Sequence, residues 1–303
     1  MTRAKTPRIL LLGADGQVGW ELRRALLPLG DVLPLTRAQV DLSNLAALRH
    51  RLEREQPDVI VNAAAYTAVD KAEAEPDAAQ RINAEAPQVL AEYAARHNTW
   101  LVHYSTDYVF DGTKPVPYTE TDVPNPQSAY GRSKLAGEQA IAHCGCRHLI
   151  LRTSWVYAAR GGNFAKTMLK LAAQRESLRV IADQFGAPTS AELIADVTAL
   201  ALHRLHTDPA LAERAGGLYH LTAQGSTTWH GYAQYVIAQA HARGLPLRCT
   251  ADQIQAITTA DYPLPAPRPA NSRLDASKLQ TTFGLHLPPW HTQVQRLIGE
   301  LPQ

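Results

Sequence analysis

Short apolar runs alternate with longer segments along the first half of this 303-residue chain. Runs of Val, Ile, Leu and aromatic residues predict buried strands, because a strand that is covered on both faces shows no polar alternation. The predicted strands are residues 9–12, 32–35, 59–63, 100–105 and 149–154. The segments between them are long enough for crossover helices, so the pattern predicts a parallel sheet built from βαβ units.

A helix is predicted directly after the first strand, over residues 17–29, where apolar side chains recur three or four positions apart. Gly13, Gly16 and Gly19 lie at this strand-to-helix junction. Glycines at such a turn let the backbone approach a pyrophosphate, and the free N–H groups of the helix attract anions. The junction therefore indicates a dinucleotide site.

The pattern changes after about residue 155. Helices are predicted for residues 163–175 and 191–205, and an isolated strand for residues 218–222. Proline is dense over residues 262–269, so an ordered loop or a polyproline-type segment is expected there instead of a helix.

These patterns predict an α/β protein with a Rossmann-type, doubly wound parallel sheet. We expect an NAD(P)-binding domain over residues 1–157 and a smaller α+β substrate domain over residues 158–303. No low-complexity linker separates the two parts, so some segments of the second are expected to return to the first.

Composition narrows the class of protein. The 30 basic and 28 acidic residues are interspersed, which gives no indication of a nucleic-acid-binding surface. No stretch approaches the roughly 20 apolar residues of a membrane helix, and no signal peptide is recognisable. Cys144, Cys146 and Cys249 are too few for a disulfide framework, and no second pair at zinc spacing accompanies the first two. A cytoplasmic protein without a membrane or nucleic-acid partner is expected.

The end of the second predicted strand bears on the choice of cofactor. Sites for NAD usually carry an acidic residue there, which binds the ribose 2′-hydroxyl. This chain has Thr36 and Arg37 instead, and a hydroxyl beside a guanidinium suits the 2′-phosphate of NADPH. The pair favours NADPH, while NADH and a solvated loop arginine remain alternatives. Asp41 and Leu42 follow an expected short third segment and are candidates to flank the adenine.

Tyr130 and Lys134 are four residues apart, which places them on one face of a helix. Such a pair is common by chance. Thr106, however, follows the fourth predicted strand, and ligands of open parallel sheets bind beyond the carboxyl ends of the strands. We therefore expect Thr106, Tyr130 and a nicotinamide ring to converge.

The glycine turn, the hydroxyl residue after the fourth strand and the Tyr-x-x-x-Lys pair together resemble the extended short-chain dehydrogenase/reductase superfamily. Within it, the chain from about residue 8 to residue 298 resembles the dTDP-4-dehydrorhamnose reductases. The narrower resemblance rests on GQVGWEL at 16–22, VNAAAYTAVD at 61–70, STDYVF at 105–110, RTSWVY at 152–157 and DQFGAPT at 183–189.

The resemblance implies reduction of the 4-keto group of dTDP-4-dehydro-β-L-rhamnose by NAD(P)H, which yields dTDP-L-rhamnose. It implies that Tyr130 donates the proton and that Thr106 orients the keto oxygen. Lys134 would lower the pKa of the phenol and hold the nicotinamide ribose. The cofactor would be lined by Gln17, Val18, Ala65, Tyr66, Thr67 and Tyr104, and the sugar by Asp107, Tyr108 and Trp155.

Further assignments concern the diphosphate and a metal. Asn163 and Arg268 are candidates for the substrate diphosphate, which needs amide or cationic donors. Some members of the family carry Mg²⁺ at a dimer interface, on acidic residues that would correspond to Glu21 and Glu192. The resemblance therefore implies Mg²⁺ and a homodimer, with two solvated carboxylates as the alternative.

Other functions stay open. Related dehydratases carry Thr-Asp-Glu where this chain has Thr106, Asp107 and Tyr108, and a tyrosine cannot readily remove a proton beside a ketone. Reduction is thus preferred over dehydration, while a reductase of another 4-keto-sugar nucleotide remains open. The β regulatory subunit of methionine adenosyltransferase is similar to the same reductases, but the presence of Thr106, Tyr130 and Lys134 favours an enzyme.

Overall fold

The computed structural model describes residues 6–301. Residues 1–5 and 302–303 lie outside the described residues. The predicted domain ranges include both segments, and the prediction about a signal peptide concerns the first. The strands are β1 (Arg8–Leu12), β2 (Asp31–Leu35), β3 (Val59–Asn62), β4 (Trp100–Thr106), β5 (His148–Thr153), β6 (Val156–Tyr157), β7 (Leu178–Ile181), β8 (Phe185–Gly186), β9 (Thr189–Ser190), β10 (Gly217–His220), β11 (Thr227–Thr228) and β12 (Ile254–Ile257).

The helices lie between and after these strands. They are α1 (Gln17–Ala25), α2 (Leu45–Glu55), α3 (Val69–Ala74), α4 (Pro76–Gln80), α5 (Ala86–His97), α6 (Ala129–His143), α7 (Phe164–Gln174), α8 (Ala191–Thr207), α9 (Pro209–Arg214), α10 (Trp229–Ala242), α11 (Ser277–Phe283) and α12 (Trp290–Glu300). A π-helical turn (Arg81–Glu85) joins α4 to α5, and a 3₁₀ turn (Asp107–Val109) follows β4.

Six strands form the main sheet in the order β10-β5-β4-β3-β1-β2, and every neighbouring pair is parallel. From β1 the chain proceeds to the outer strand β2 and then returns to β3 on the other side of β1. This reversal is a topological switch point, where the carboxyl ends of β1 and β3 leave a crevice for a ligand. The predicted α/β fold with a doubly wound parallel sheet is confirmed.

Helices cover both faces of the sheet because successive strand residues point to opposite sides. In β1, Ile9 and Leu11 belong to an apolar cluster with residues of α1 and α8. Leu10 and Leu12 belong to a second cluster with residues of α2 and α5. Both faces of β1 are therefore buried, which explains why its sequence is an unbroken apolar run.

Segments from the second half return to this sheet. β10 pairs with the outer side of β5, and α8 packs along α1. Another apolar cluster, with Tyr157, Tyr232 and Val294, lies among α7, α10 and α12. The division of the chain at residue 157 remains a prediction. No helix within residues 6–301 combines the length and apolarity that crossing a bilayer requires.

Three local expectations need correction or refinement. The helix predicted for residues 17–29 ends at Ala25 and continues as a 3₁₀ turn (Leu27–Leu29), because Pro28 cannot donate the helical hydrogen bond. The short segment expected between β2 and α2 consists of turns. Residues 262–269 form an ordered loop, in which the backbone N–H of Ala266 donates to Asp70 over 3.1 Å.

Candidate active site

A cleft of about 780 Å³ opens at the carboxyl ends of β1, β3, β4 and β5. Most of the predicted site residues line it: Gly13, Gly16, Gln17, Val18, Arg37, Asp41, Leu42, Ala65, Tyr66, Thr67, Tyr104, Thr106, Asp107, Tyr108, Tyr130, Lys134 and Trp155. The predicted residues outside its lining are Gly19, Glu21, Thr36, Asn163, Glu192 and Arg268. A larger cleft of about 970 Å³ lies at the opposite, amino end of the strands and contains none of the predicted residues.

The backbone of the glycine turn lies very close to neighbouring backbone segments. Gly13 has a positive φ of 76°, and a Cβ atom there would lie 2.6 Å from the backbone nitrogen of Ala64. A Cβ atom on Gly19 would lie 2.0 Å from the carbonyl oxygen of Gly13, so this glycine packs α1 against the turn without facing the cleft. Gly16 precedes α1 without a side-chain cap, and no acidic residue occupies the first turn. The helix end therefore suits a pyrophosphate.

The end of β2 presents an arginine to the cleft. The Arg37 side chain is 82% exposed, and its Nε atom lies 3.5 Å from the Asp41 carboxylate. Hydrogen bonds from Ser43 hold the pKa of Asp41 below its ordinary value. The backbone N–H of Thr36 donates to the side chain of Gln39 over 2.9 Å. Arg37 is thus free to turn toward a phosphate at small cost, since an exposed ion pair is weak.

The start of α6 places the catalytic candidates. The Ser128 hydroxyl caps the helix by accepting from the N–H of Gly131 over 3.1 Å. A Cβ atom on Gly131 would lie 2.2 Å from the carbonyl oxygen of Tyr108, so glycine allows α6 to approach the turn after β4. The rings of Tyr130 and Tyr108 meet edge to face, with centroids 5.5 Å apart. Tyr130 and Lys134 consequently face the cleft one helical turn apart.

Tyr130 holds its proton at neutral pH. Burial raises the pKa of its phenol to about 12, a hydrogen bond with Thr106 opposes this, and the Asp107 carboxylate adds to it. The expected lowering of this pKa by Lys134 is not observed. The protonated phenol is the state that a proton donor needs.

Lys134 is buried and directed toward β4. Its Nζ atom donates to the carbonyl oxygen of Tyr104 over 2.6 Å and lies 3.2 Å from Nε2 of His103. Burial lowers the pKa of Lys134 to about 8, and the Glu138 carboxylate opposes this shift. The lysine is therefore a comparatively acidic ammonium close to neutral pH.

The floor of the cleft is rich in polar side chains. The Thr106 hydroxyl donates to the Asp107 carboxylate over 3.1 Å, and burial raises the pKa of Asp107 to about 6. The hydroxyls of Ser105, Thr153 and Ser154, at the ends of β4 and β5, are buried and have no hydrogen-bond partner within residues 6–301. Because buried hydroxyls are normally paired, this lining suits a ligand that carries several polar groups.

Two tryptophans form one wall. The rings of Trp155 and Trp229 stack with centroids 3.6 Å apart and planes 12° apart. Nε1 of Trp229 donates to the Gln184 side chain over 3.1 Å, which fixes that ring. A Cβ atom on Gly186 would lie 2.4 Å from the Trp155 ring. Trp229 was not a sequence candidate, because it belongs to a helix far from every motif.

Asn163 and Arg268 are occupied within the fold. The Asn163 side chain accepts from the N–H of Lys166 over 3.1 Å and donates to the carbonyl of Ala158 over 2.7 Å. The Arg268 guanidinium donates to Asp70 over 2.8 Å and lies above the Tyr108 ring, 6.0 Å from its centroid. Their assignment to a diphosphate remains a prediction.

Glu21 and Glu192, the acidic pair implied as magnesium ligands, each have an arginine neighbour. Glu21 lies 3.9 Å from Arg24, and Glu192 lies 3.2 Å from Arg296. Burial raises the pKa of both carboxyl groups. Within residues 6–301 no group of three or more His, Cys, Asp or Glu side chains is arranged to hold a metal ion. The assignment of Glu21 and Glu192 to Mg²⁺ remains a prediction.

Asn83, in the π-helical turn, is a site residue that sequence reasoning missed. Its amide accepts from the N–H of Tyr66 over 2.8 Å and donates to the carbonyl of the same residue over 3.0 Å. It also donates to the Ser133 hydroxyl of α6 over 3.0 Å. Asn83 therefore ties the segment after β3 to the catalytic helix. No local motif marks it, because its partners are 17 and 50 residues away.

Known proteins resemble the chain over almost its full length. Residues 7–302 match the family described as the RmlD substrate binding domain. The dTDP-4-dehydrorhamnose reductase of Salmonella typhimurium is 50% identical over 297 residues, which cover 97% of both chains. The solved structure of a dTDP-4-dehydrorhamnose reductase from Clostridium acetobutylicum has a TM-score of 0.87 at 35% identity, covering 96% of this chain and 98% of that one.

A second solved structure is the dTDP-4-dehydrorhamnose reductase of Bacillus anthracis in complex with NADP. Its TM-score is 0.85 at 32% identity, and the match covers 98% of this chain and 100% of that one. Because the family match and a relative at 50% identity both span nearly the whole chain, the protein belongs to the dTDP-4-dehydrorhamnose reductase family, which carries the RmlD substrate binding domain.

Proposed function

We propose that this protein reduces the 4-keto group of dTDP-4-dehydro-β-L-rhamnose to give dTDP-L-rhamnose, with NADPH as the reductant. The observation that carries the proposal is the position of the Tyr130 phenol, which lines the same cleft as Thr106 and Lys134 and whose pKa is raised to about 12 by burial. Tyr130 of α6 and Thr106 at the carboxyl end of β4 lie in the same cleft as the glycine turn. The identity of the sugar nucleotide comes from the names of the relatives.

The residues of the cleft fit a dinucleotide. The glycine turn and the uncapped start of α1 would hold the pyrophosphate, and Arg37 would hold a 2′-phosphate. Lys134 would reach the nicotinamide ribose from α6. NADPH, when bound, supplies the hydride. The NADP complex of the Bacillus anthracis relative supports the choice of NADPH over NADH.

Tyr130 supplies the proton. Its phenol would donate to the keto oxygen as negative charge develops there, and the Thr106 hydroxyl, turned from Asp107 toward the substrate, would donate a second hydrogen bond to that oxygen. A preorganised donor of this kind contributes roughly 3–4 kcal/mol to stabilising the transition state. Tyr108 takes the position of the glutamate that a dehydratase needs, and burial raises the pKa of its phenol, so the phenol stays protonated and has no free base to offer. The residues thus support reduction without elimination.

NADPH oxidation with dTDP-4-dehydro-β-L-rhamnose, with the product identified by NMR, tests the proposal. Tyr130→Phe should lower kcat by roughly 10²–10⁴-fold and leave the Kd for NADPH nearly unchanged, because only the proton donor is lost. Turnover of a different 4-keto sugar alone would reassign the substrate. An absence of turnover with any such sugar, together with tight binding of a large protein partner, would favour a regulatory subunit.

We also propose a cytoplasmic homodimer. Cys144, Cys146 and Cys249 are free thiols, which suits a reducing compartment. Trp20 of α1 and Leu200 of α8 are exposed on two helices that pack together, and large apolar side chains of this kind are common at subunit contacts. Light scattering of the purified protein tests the dimer, and a monomer at micromolar concentration would contradict it. The proposal assigns no step to Mg²⁺.

A further inference from the structure

Two buried side chains lie in line behind Lys134. Nζ of Lys134 lies 3.2 Å from Nε2 of His103, and Nδ1 of the same ring lies 3.1 Å from Nδ2 of Asn62. Asn62 and His103 are paired neighbours on β3 and β4, and all three side chains are almost completely excluded from solvent. The catalytic roles above use Lys134 but neither of its two neighbours.

The orientation of the Asn62 amide decides where the His103 proton lies. The backbone N–H of Ala64 donates to Oδ1 of Asn62 over 3.2 Å, so the NH₂ group must face the imidazole. An NH₂ group is a donor only, which leaves Nδ1 of His103 as the acceptor. Burial and the Lys134 charge hold the pKa of His103 well below its ordinary value, so the ring is neutral. A neutral ring with a free Nδ1 carries its hydrogen on Nε2.

That hydrogen points at Lys134. An ammonium group also has donors only, so an Nε2–H group facing it is unfavourable, whereas a neutral amine can accept from it. The second short contact of Lys134, to the carbonyl of Tyr104, satisfies one donor in either state. The Glu138 carboxylate, one turn further along α6, raises the pKa of Lys134. Two hydrogen bonds, however, join this carboxylate to Arg152 of β5. His103 is thus the neighbour that favours loss of the lysine proton.

We propose that His103, held by Asn62, is a positioning residue that donates from Nε2 to Lys134 and stabilises the neutral amine. The inference rests on the proposed function, in which Tyr130 loses its proton to the ketone. The Tyr130 phenolate then recovers a proton from Lys134: an N–H bond of the ammonium breaks, an O–H bond of the phenol forms, and the lysine lone pair accepts from His103. A solvent proton later restores the ammonium.

The pH dependence of kcat/KM tests the direction of the effect. Activity should fall above about pH 8, as the lysine loses its proton in the free enzyme. His103→Leu removes the donor, so the alkaline limb should move upward by about one pH unit. His103→Gln can place an amide N–H near the same position and should keep the limb of the unaltered protein. Loss of a purely structural residue would lower kcat/KM at every pH without moving the alkaline limb. An alkaline limb that stays at the same pH in His103→Leu, or moves to lower pH, would therefore overturn the proposal.

A second measurement needs neither substrate nor activity. ¹⁵N NMR of the full-length protein, with the His103 signals assigned from their loss in His103→Gln, reports which ring nitrogen carries hydrogen. The expected result is a neutral ring with hydrogen on Nε2 from pH 5 to 9. Hydrogen on Nδ1, or protonation within this range, would overturn the inference. If the sugar nucleotide proves not to be a substrate, this spectrum still decides the state of His103.

Discussion

Trp155 lies flat against Trp229, with ring centroids 3.6 Å apart, although its backbone has a left-handed φ of 48°. That conformation costs a bulky residue roughly 1–2 kcal/mol, so its surroundings must compensate. The stacked indole and the absence of a side chain at Gly186 do so. The wall of the cleft is therefore preorganised, and Trp155 does not have to move when a ligand arrives.

Trp229→Leu should raise the KM for the 4-keto sugar nucleotide by roughly three- to tenfold, since an aromatic pair contributes about 0.5–1.5 kcal/mol. kcat should change little, because Tyr130 and Thr106 are untouched. Steady-state kinetics give both constants. Trp290→Leu is the matched control, since Trp290 packs on Tyr232 and Tyr235 and does not line the cleft. An equal rise of KM in the control would mean that general loosening is responsible.

Protonation of Asp107 should raise the KM for the sugar nucleotide at acid pH. Burial raises the pKa of this carboxyl to about 6, so it gains a proton as the pH falls through that value. A neutral carboxyl is a weaker acceptor for sugar hydroxyls, and KM should therefore rise below pH 6. Asp107→Asn should make KM nearly independent of pH between 5 and 7. Measuring KM across that range checks this, and a limb that persists in the variant assigns the titration elsewhere.

Arg37→Ala should weaken NADPH by roughly ten- to a hundredfold, because a hydrogen bond to a charged group contributes about 1.5–3 kcal/mol. Binding of NADH, which lacks the 2′-phosphate, should change much less. Fluorescence titration of both cofactors gives the two Kd values. Arg49→Ala, which removes a charge on α2 outside the cleft, controls for net charge. Equal losses for NADPH and NADH would leave Arg37 as a loop residue.

Glu138→Gln should destabilise the fold by about 3–5 kcal/mol, because it leaves the Arg152 guanidinium buried without its charge partner. The pair is almost fully excluded from solvent and joins α6 to β5 through bonds of 2.8 and 2.6 Å. Urea unfolding measures the loss. Glu176→Gln breaks an exposed pair with Arg248 and should have little effect. Similar losses in the two variants would show that burial does not set the contribution of the pair.

The fold was predictable because its determinants are local. The first five strands of the main sheet were predicted from short runs rich in apolar residues and β10 as an isolated strand, and the observed ends lie within two residues of the predicted ones. The end of α1 was predicted too late in the chain. The helical spacing of apolar residues continues through Pro28, but the α-helical backbone ends before it. The glycine turn and the Tyr130–Lys134 pair of α6 could be assigned to one cleft from the sequence, because each set of residues lies within one short segment.

The long-range contacts that hold the site residues in place could not be predicted from the sequence. His103 reaches Lys134 across 31 positions, and Asp70 reaches Arg268 across 198. Such contacts depend on how strands and helices pack, and no periodicity or spacing in a single sequence encodes them. The same holds for Trp155, whose left-handed backbone is set by Trp229 and Gly186 and not by its own chemistry.

Because β10 forms the outer edge of the main sheet beside β5, that sheet cannot be completed until residue 220 has been synthesised. Before then β5 presents an unpaired edge, and the face that α8 covers remains open. Open edges of this kind recruit other strands, so ribosome stalling between β5 and β10 should leave an aggregation-prone nascent chain. The first five strands of the sheet thus depend on the later part of the chain during translation as well as in the finished molecule.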